Sequence, residues 1–151
     1  MASILNILLA DDSVDEHFLF RHTIKGIDDA VNIQTVINGV ELVRLLNKPE
    51  TVLPDLLFLD LNMPLKNGKE SLAEIRSNAK LAHLNVVIYS TSDEKKDIDE
   101  TYDLGANIYL RKPQDYTELE LTLSKVLDLY RKKGITRFPR SQYVFALHPD
   151  H

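Results

Sequence analysis

Five side chains of this sequence could do phosphorus chemistry together: Asp11, Asp12, Asp60, Ser90 and Lys112. Each stands at the end of an apolar, β-prone run. Ile4–Ala10 stops at Asp11-Asp12, Leu56–Leu59 at Asp60, Asn85–Tyr89 at Ser90, and Asn107–Leu110 runs into Arg111-Lys112. A carboxylate can act as a nucleophile and form an aspartyl phosphate. Three carboxylates brought together repel one another and raise their own pKa values unless a cation sits among them. Oxygen ligands with no His or Cys suit Mg²⁺ or Mn²⁺. Lys112 would supply a second cation for the phosphoryl oxygens, and the Ser90 hydroxyl could donate to the product phosphoryl group. Without the metal the acids would repel phosphate, so this chemistry requires a divalent ion. Singly, each residue has a plainer reading: Asp60 as a turn residue, the acidic pair as a solvated helix entry. Only convergence makes a site.

Convergence depends on the elements between these residues. Ser13-Val14-Asp15-Glu16 has the form of a capping box and starts a helix that runs to about Lys25. Val31–Ile37 alternates as a second strand. Asn38-Gly39 could turn a hairpin, but Glu41 three residues on and the periodic Val40, Val43 and Leu46 favour a helix cap. The continuous run Leu56–Leu59 reads as a strand buried on both faces. Leu72, Ile75 and Ala79 mark a third helix after the Lys66-Asn67-Gly68 loop. A fourth spans Asp93–Leu104, with Gly105 at its C′ position, and a fifth follows Asp115 and stops at Gly134. Strand and helix therefore alternate five times. This predicts an α/β, three-layer doubly wound (βα)5 fold with a parallel five-stranded sheet of order 2-1-3-4-5, flavodoxin-like. In such a sheet every strand's C-terminal tip faces one crevice, which gathers the five residues.

Composition bounds the rest. A chain of 151 residues makes one domain with a real core. The net charge of −5 argues against nonspecific nucleic-acid binding. With no cysteine, thiolate catalysis, disulfides and cysteine-held metals are excluded, which fits a reducing, cytoplasmic setting. The N-terminus lacks a basic n-region, and no segment reaches the roughly 18 apolar residues of a membrane span.

In this order, these residues resemble the receiver domain of two-component response regulators, the family that includes the bacterial chemotaxis regulator. The motifs are Asp11-Asp12, the LDLNMP stretch around Asp60, Ser90, Gly105-Ala106 and Lys112-Pro113, and the likeness covers about residues 4–133. The resemblance implies a single-domain regulator, 1–134, with a C-terminal tail, 135–151. Asp60 would accept a phosphoryl group from a phosphohistidine on a sensor histidine kinase or phosphotransfer protein. Asp12, Asp60 and the main-chain carbonyl of Asn62 would hold Mg²⁺ (or Mn²⁺), and Asp11 a metal-bound water. Ser90 and Lys112 would contact the phosphoryl group, Tyr109 would be the aromatic that turns inward as the hydroxyl residue moves, and the Lys112-Pro113 bond would be cis. The resemblance makes the protein a switch and not a turnover enzyme. Its output would pass through the surface of the fourth helix, fifth strand and fifth helix, with Ile98, Tyr102 and Tyr109 as candidates, to a downstream protein. No DNA-binding domain or membrane partner is expected. Serine replaces the commoner threonine at position 90, and Gln114 stands where an apolar residue is frequent.

The tail combines Arg137 and Arg140 with the apolar Tyr143-Val144-Phe145-Ala146-Leu147. It could pack back on the domain, pair in a homodimer as in some receivers matched to phytochrome-type kinases, or dock on a kinase. The five histidines, at 17, 22, 83, 148 and 151, lack metal-ligand spacing, and His17 and His22 fall on or near the exposed face of the first helix. Three rivals remain. A haloacid-dehalogenase-type phosphatase needs an acid two residues after its nucleophile, where Asn62 stands. A flavodoxin would have to seat a phosphate against Asp11-Asp12. A scaffold would take up no phosphate at all.

Overall fold

The computed structural model describes residues 3–145. Five strands, β1 (Leu5–Ala10), β2 (Val31–Val36), β3 (Leu56–Leu59), β4 (Val86–Ser90) and β5 (Ile108–Arg111), form one parallel sheet of order β2-β1-β3-β4-β5. Five helices join and follow them: α1 (Val14–Ile27), α2 (Gly39–Leu46), α3 (Gly68–Ser77), α4 (Lys95–Asp103) and α5 (Tyr116–Lys133). The expected fold is the observed one.

Side chains alternate across a pleated sheet, so each strand feeds two cores. Ile7 and Leu9 of β1 join Phe58, Tyr89, Phe20 and Leu123 on the α1/α5 side. Leu8 and Ala10 join Leu57, Leu59, Leu42, Leu72 and Ile88 on the opposite side. All four residues of β3 are buried, as its unbroken apolar run requires. Register then fixes the site: Ala10 pairs with Leu59, and Leu59 with Ile88, so the residues that follow emerge side by side.

Local chemistry sets the helix starts. Asn38 does cap α2, its side chain accepting from the Glu41 N–H at 2.7 Å. Asn67 and Glu70 form a full capping box on α3. Ser13 makes only half of one: its side chain accepts from the Glu16 N–H, but its own N–H is taken by Asp11 Oδ1 at 2.9 Å. Glu16 has no donor left to reach.

Three expectations are corrected. α1 continues to Ile27, and α3 stops at Ser77 before Ala79. The Lys112-Pro113 bond is trans, like every other among the described residues. Trans is the ground form of an X–Pro bond by about 0.5–1 kcal/mol. Here the Lys112 N–H is anchored to the Ser90 carbonyl at 2.7 Å, and the ammonium reaches the acids without a cis turn. The described part of the tail packs on the domain, with Ile135 and Tyr143 buried. Ala146, Leu147, His148 and His151 lie outside the described residues.

Candidate functional site

The switch in strand order between β1 and β3 opens the crevice where a doubly wound sheet holds its ligands. Asp11 and Asp12 enter it from β1, Asp60 from β3. One carboxylate oxygen from each lies within 4.8 Å of the other two. Asp11 and Asp60 are buried and Asp12 is exposed, so the cluster opens to solvent on the Asp12 side. Backbone bonds hold the two buried acids: Asp11 N–H to the Val36 carbonyl and Asp60 N–H to the Ala10 carbonyl. Asn62, exposed beside them, donates its N–H to Asp60 Oδ1 at 3.4 Å.

Lys112 supplies the counter-charge. Its ammonium stands 2.6 Å from Asp11 Oδ2 and 3.7 Å from Asp60 Oδ2, with only 9% of the side chain exposed. It also lies 5.2 Å from the centre of the buried Tyr89 ring. Burial pulls the Lys112 pKa down, but the hydrogen bond to Asp11 and the charges of Asp60 and Asp11 outweigh it and hold the value above that of an ordinary lysine. Asp60 goes the other way for a carboxyl. Burial pushes it up to about 6, Lys112 offsets part of this, and Asp11 adds to it. Three oxygen donors, a charge that the protein solvates poorly, and no nitrogen or sulfur ligand fit a hard divalent cation.

This sets a stability test. A carboxyl whose folded pKa is raised favours the fold in its neutral form, so that contribution is present below pH 3.8 and is lost as pH rises through about 6. Asp60→Asn is therefore expected to stabilise the metal-free protein by about 1–2 kcal/mol at pH 8, after discounting for solvent screening. Thermal unfolding from pH 4 to pH 8 should show the advantage growing from near zero to roughly 3–6 °C. A constant difference across that range would contradict the burial of an ionised Asp60.

Ser90 ends the neighbouring β4 and is fully buried. Its Oγ accepts from the Ser92 N–H at 3.2 Å and makes no bond to the acids. Ser92 is the hub that sequence reasoning missed. Its carbonyl accepts from the Tyr109 hydroxyl at 2.7 Å, and its own hydroxyl donates to Asp97 Oδ2 at 2.5 Å. Asp97 in turn holds Lys69 of α3 at 2.6 Å. Hydrogen bonds from Lys69 and Ser92 keep the Asp97 carboxyl below the usual range. Asp12, Asn62, Lys69 and Asp97 line a cleft of about 480 Å³ over the cluster. The hydroxyl-rich Ser90-Thr91-Ser92 was the available signal; nothing local marks Lys69. Tyr109 is buried and already points inward. His17, half-buried on α1, donates from Nε2 to the Asp11 carbonyl at 2.6 Å, and His22 is exposed.

Residues 7–124 match the family described as the response regulator receiver domain. The chain is 32% identical over 120 residues to the response regulator Rcp1 of Synechocystis sp., covering 75% of this chain and 80% of that protein. It is similar in structure to the phosphorylated cyanobacterial phytochrome response regulator RcpA, at 30% identity and TM-score 0.79, over 89% of this chain and 98% of that one. The Mn²⁺-bound form of response regulator Rcp1 aligns at 28% identity and TM-score 0.77, over 89% and 99%. Among the described residues no helix is long and apolar enough to cross a membrane.

Proposed function

Because the chain belongs to the response regulator receiver domain family, we propose that Asp60 is its phosphoacceptor and that the pocket around it is the whole chemical machinery of a signalling switch. The observation that carries this is the position of the Lys112 ammonium between Asp11 and Asp60, in a pocket whose three acids converge from two strands. A cationic group so placed can meet the oxygens of a phosphoryl group arriving at Asp60.

The transfer balances simply. An Asp60 carboxylate oxygen attacks the phosphorus of a phosphohistidine, the P–N bond breaks, and an acyl phosphate forms on Asp60. Asp12, Asp60 and the Asn62 carbonyl would hold Mg²⁺ or Mn²⁺, with Asp11 reaching it through water. A divalent ion held by these residues would supply charge neutralisation for the acceptor and phosphoryl oxygens. Lys112 stabilises the equatorial oxygens, and the Ser90 hydroxyl donates to one of them. Asp60 works as a nucleophile only once ionised, and a divalent ion held beside it would favour that ionised form over the neutral one that burial favours.

A sensor histidine kinase or phosphotransfer protein is the donor in this reading, in the cytoplasm, and a downstream protein reads the result. The family's work is signalling, not turnover. Asn62 cannot supply the acid that a phosphatase of the dehalogenase type requires at its place. Self-catalysed uptake from a small donor and self-catalysed hydrolysis are compatible with the same residues.

The test is incubation with acetyl phosphate and Mg²⁺, read by intact mass. One phosphoryl addition is expected, absent in Asp60→Asn and absent with chelator. Addition to the Asp60→Asn chain at the wild-type level would refute the assignment.

A further inference from the structure

After Gly134 the chain doubles back across the α4–β5 edge. Residues 143–145 add to the free edge of β5: the Tyr109 N–H donates to the Tyr143 carbonyl at 3.0 Å, and the Phe145 N–H to the Tyr109 carbonyl at 2.9 Å. Both main-chain groups of Tyr109 are thus taken by the tail. Tyr143 is the anchor. It is fully buried, its ring meets Tyr102 and Tyr109 edge-on with centroids 5.1 and 6.0 Å apart, and its hydroxyl donates to Thr101 Oγ1 at 2.8 Å. At the rim, Arg140 pairs with Asp99 at 2.7 Å, and Arg137 donates to the Tyr102 carbonyl.

The side of Tyr109 away from the tail leads to the acid pocket. Its hydroxyl holds the Ser92 carbonyl, and the Ser92 N–H donates to Ser90 Oγ. That bond occupies a lone pair of Ser90, whose hydroxyl also interacts with the Tyr109 side chain, so Tyr109 reaches Ser90 both directly and through Ser92. Outward rotation of the Tyr109 ring would release Ser92, but the outward space belongs to Tyr143. A close-packed core holds one ring there, not two. The docked tail therefore favours the inward Tyr109 ring and the Ser92 and Ser90 positions that it holds.

We propose that residues 135–145 are a positioning element for the Asp60 site, anchored by Tyr143. Tail docking on the α4–β5 edge and phosphoryl binding stabilise each other through Tyr109, Ser92 and Ser90. The inference rests on Asp60 as phosphoacceptor. Linkage makes the effect reciprocal: whatever factor the docked tail adds to phosphoryl affinity, the phosphoryl group adds to tail docking. A downstream partner then reads a composite surface of α4 and tail, since Tyr109 itself is covered.

The experiment uses the full chain with Mg²⁺ and beryllofluoride, a stable phosphoryl mimic followed by ¹⁹F NMR. Tyr143→Ala is expected to weaken its binding by about 5- to 30-fold, within the usual span of coupling between sites. Arg140→Ala, which frees the rim without opening the core, should weaken it by about two- to fivefold and carries the test if Tyr143→Ala folds poorly. In the wild type, amide exchange at Tyr109 and Phe145 should slow on adding beryllofluoride, by the same factor as the affinity change; a purely structural tail would show no such response. Unchanged exchange at saturation, or equal affinity in a folded variant whose Phe145 amide has become labile, overturns the coupling and leaves the phosphoacceptor reading intact. A wild-type chain that takes up no beryllofluoride removes both.

Discussion

Lys112→Ala should damage both function and fold: phosphoryl uptake falls by about 100-fold or more, and the metal-free fold loses roughly 3–5 kcal/mol. The stability loss comes from what is left behind. Asp11 and Asp60 stay buried beside each other once the ammonium, 2.6 Å from one and 3.7 Å from the other, is gone. Removing one partner of a buried ion pair costs far more than the pair contributes net, because the remaining charge has nowhere to go. The loss should shrink from pH 8 to pH 5, as Asp60 takes up its proton. Mg²⁺ should restore more stability to the variant than it adds to wild type, since it replaces the missing cation. Uptake should stay low even with Mg²⁺, because the equatorial oxygens still lack their partner. Urea unfolding with and without Mg²⁺ at the two pH values, alongside intact mass, separates these effects.

Gly68→Ala is the second large effect, and it reaches the same pocket through the backbone. A Cβ at Gly68 would stand 2.3 Å from the Asp60 carbonyl oxygen and 2.8 Å from Leu61 Cα. Neither is the loose end of a side chain, so α3 or the end of β3 has to move. Overpacking of this kind costs about 3 kcal/mol. The phosphoacceptor shifts with its backbone, so the folded fraction should also accept phosphoryl groups poorly. Gly26→Ala is the control. It has open space around its Cβ and should gain up to about 1 kcal/mol from helix propensity without touching uptake.

The sequence made the acid pocket readable because two strong constraints did the placing. Buried apolar runs had to be strands, and parallel strands had to end on one side, so Asp11, Asp12, Asp60 and Lys112 met whatever the loops did, with Ser90 at the end of the adjoining strand. Asn38 was legible for the same kind of reason, since a cap is a matter of three residues. Contacts between elements were not. Lys69 reaches Asp97 across 28 positions, and only the packing of α3 against α4 decides that. Gly39 and Gly68 look like ordinary turn glycines until the backbone they must approach is in place. The tail offered an apolar stretch with several possible docks. The unpaired edge of β5, with the N–H and C=O of Tyr109 on offer, is where its described part lies. The trans Lys112-Pro113 bond belongs here too, because an X–Pro preference is small enough for its surroundings to set.

The ion pair between Lys112 and Asp11 joins residues 101 positions apart, with α1, three βα units and β5 between them. Closing so long a loop is entropically costly and comes late. On a ribosome, the acids emerge well before their cation, and β5 is the last strand to join the sheet. A nascent chain that has reached β4 carries Asp60 but no lysine to receive phosphoryl oxygens. On the proposed reading of the pocket, the site is therefore complete only once β5 has joined the sheet and brought Lys112 to the acids.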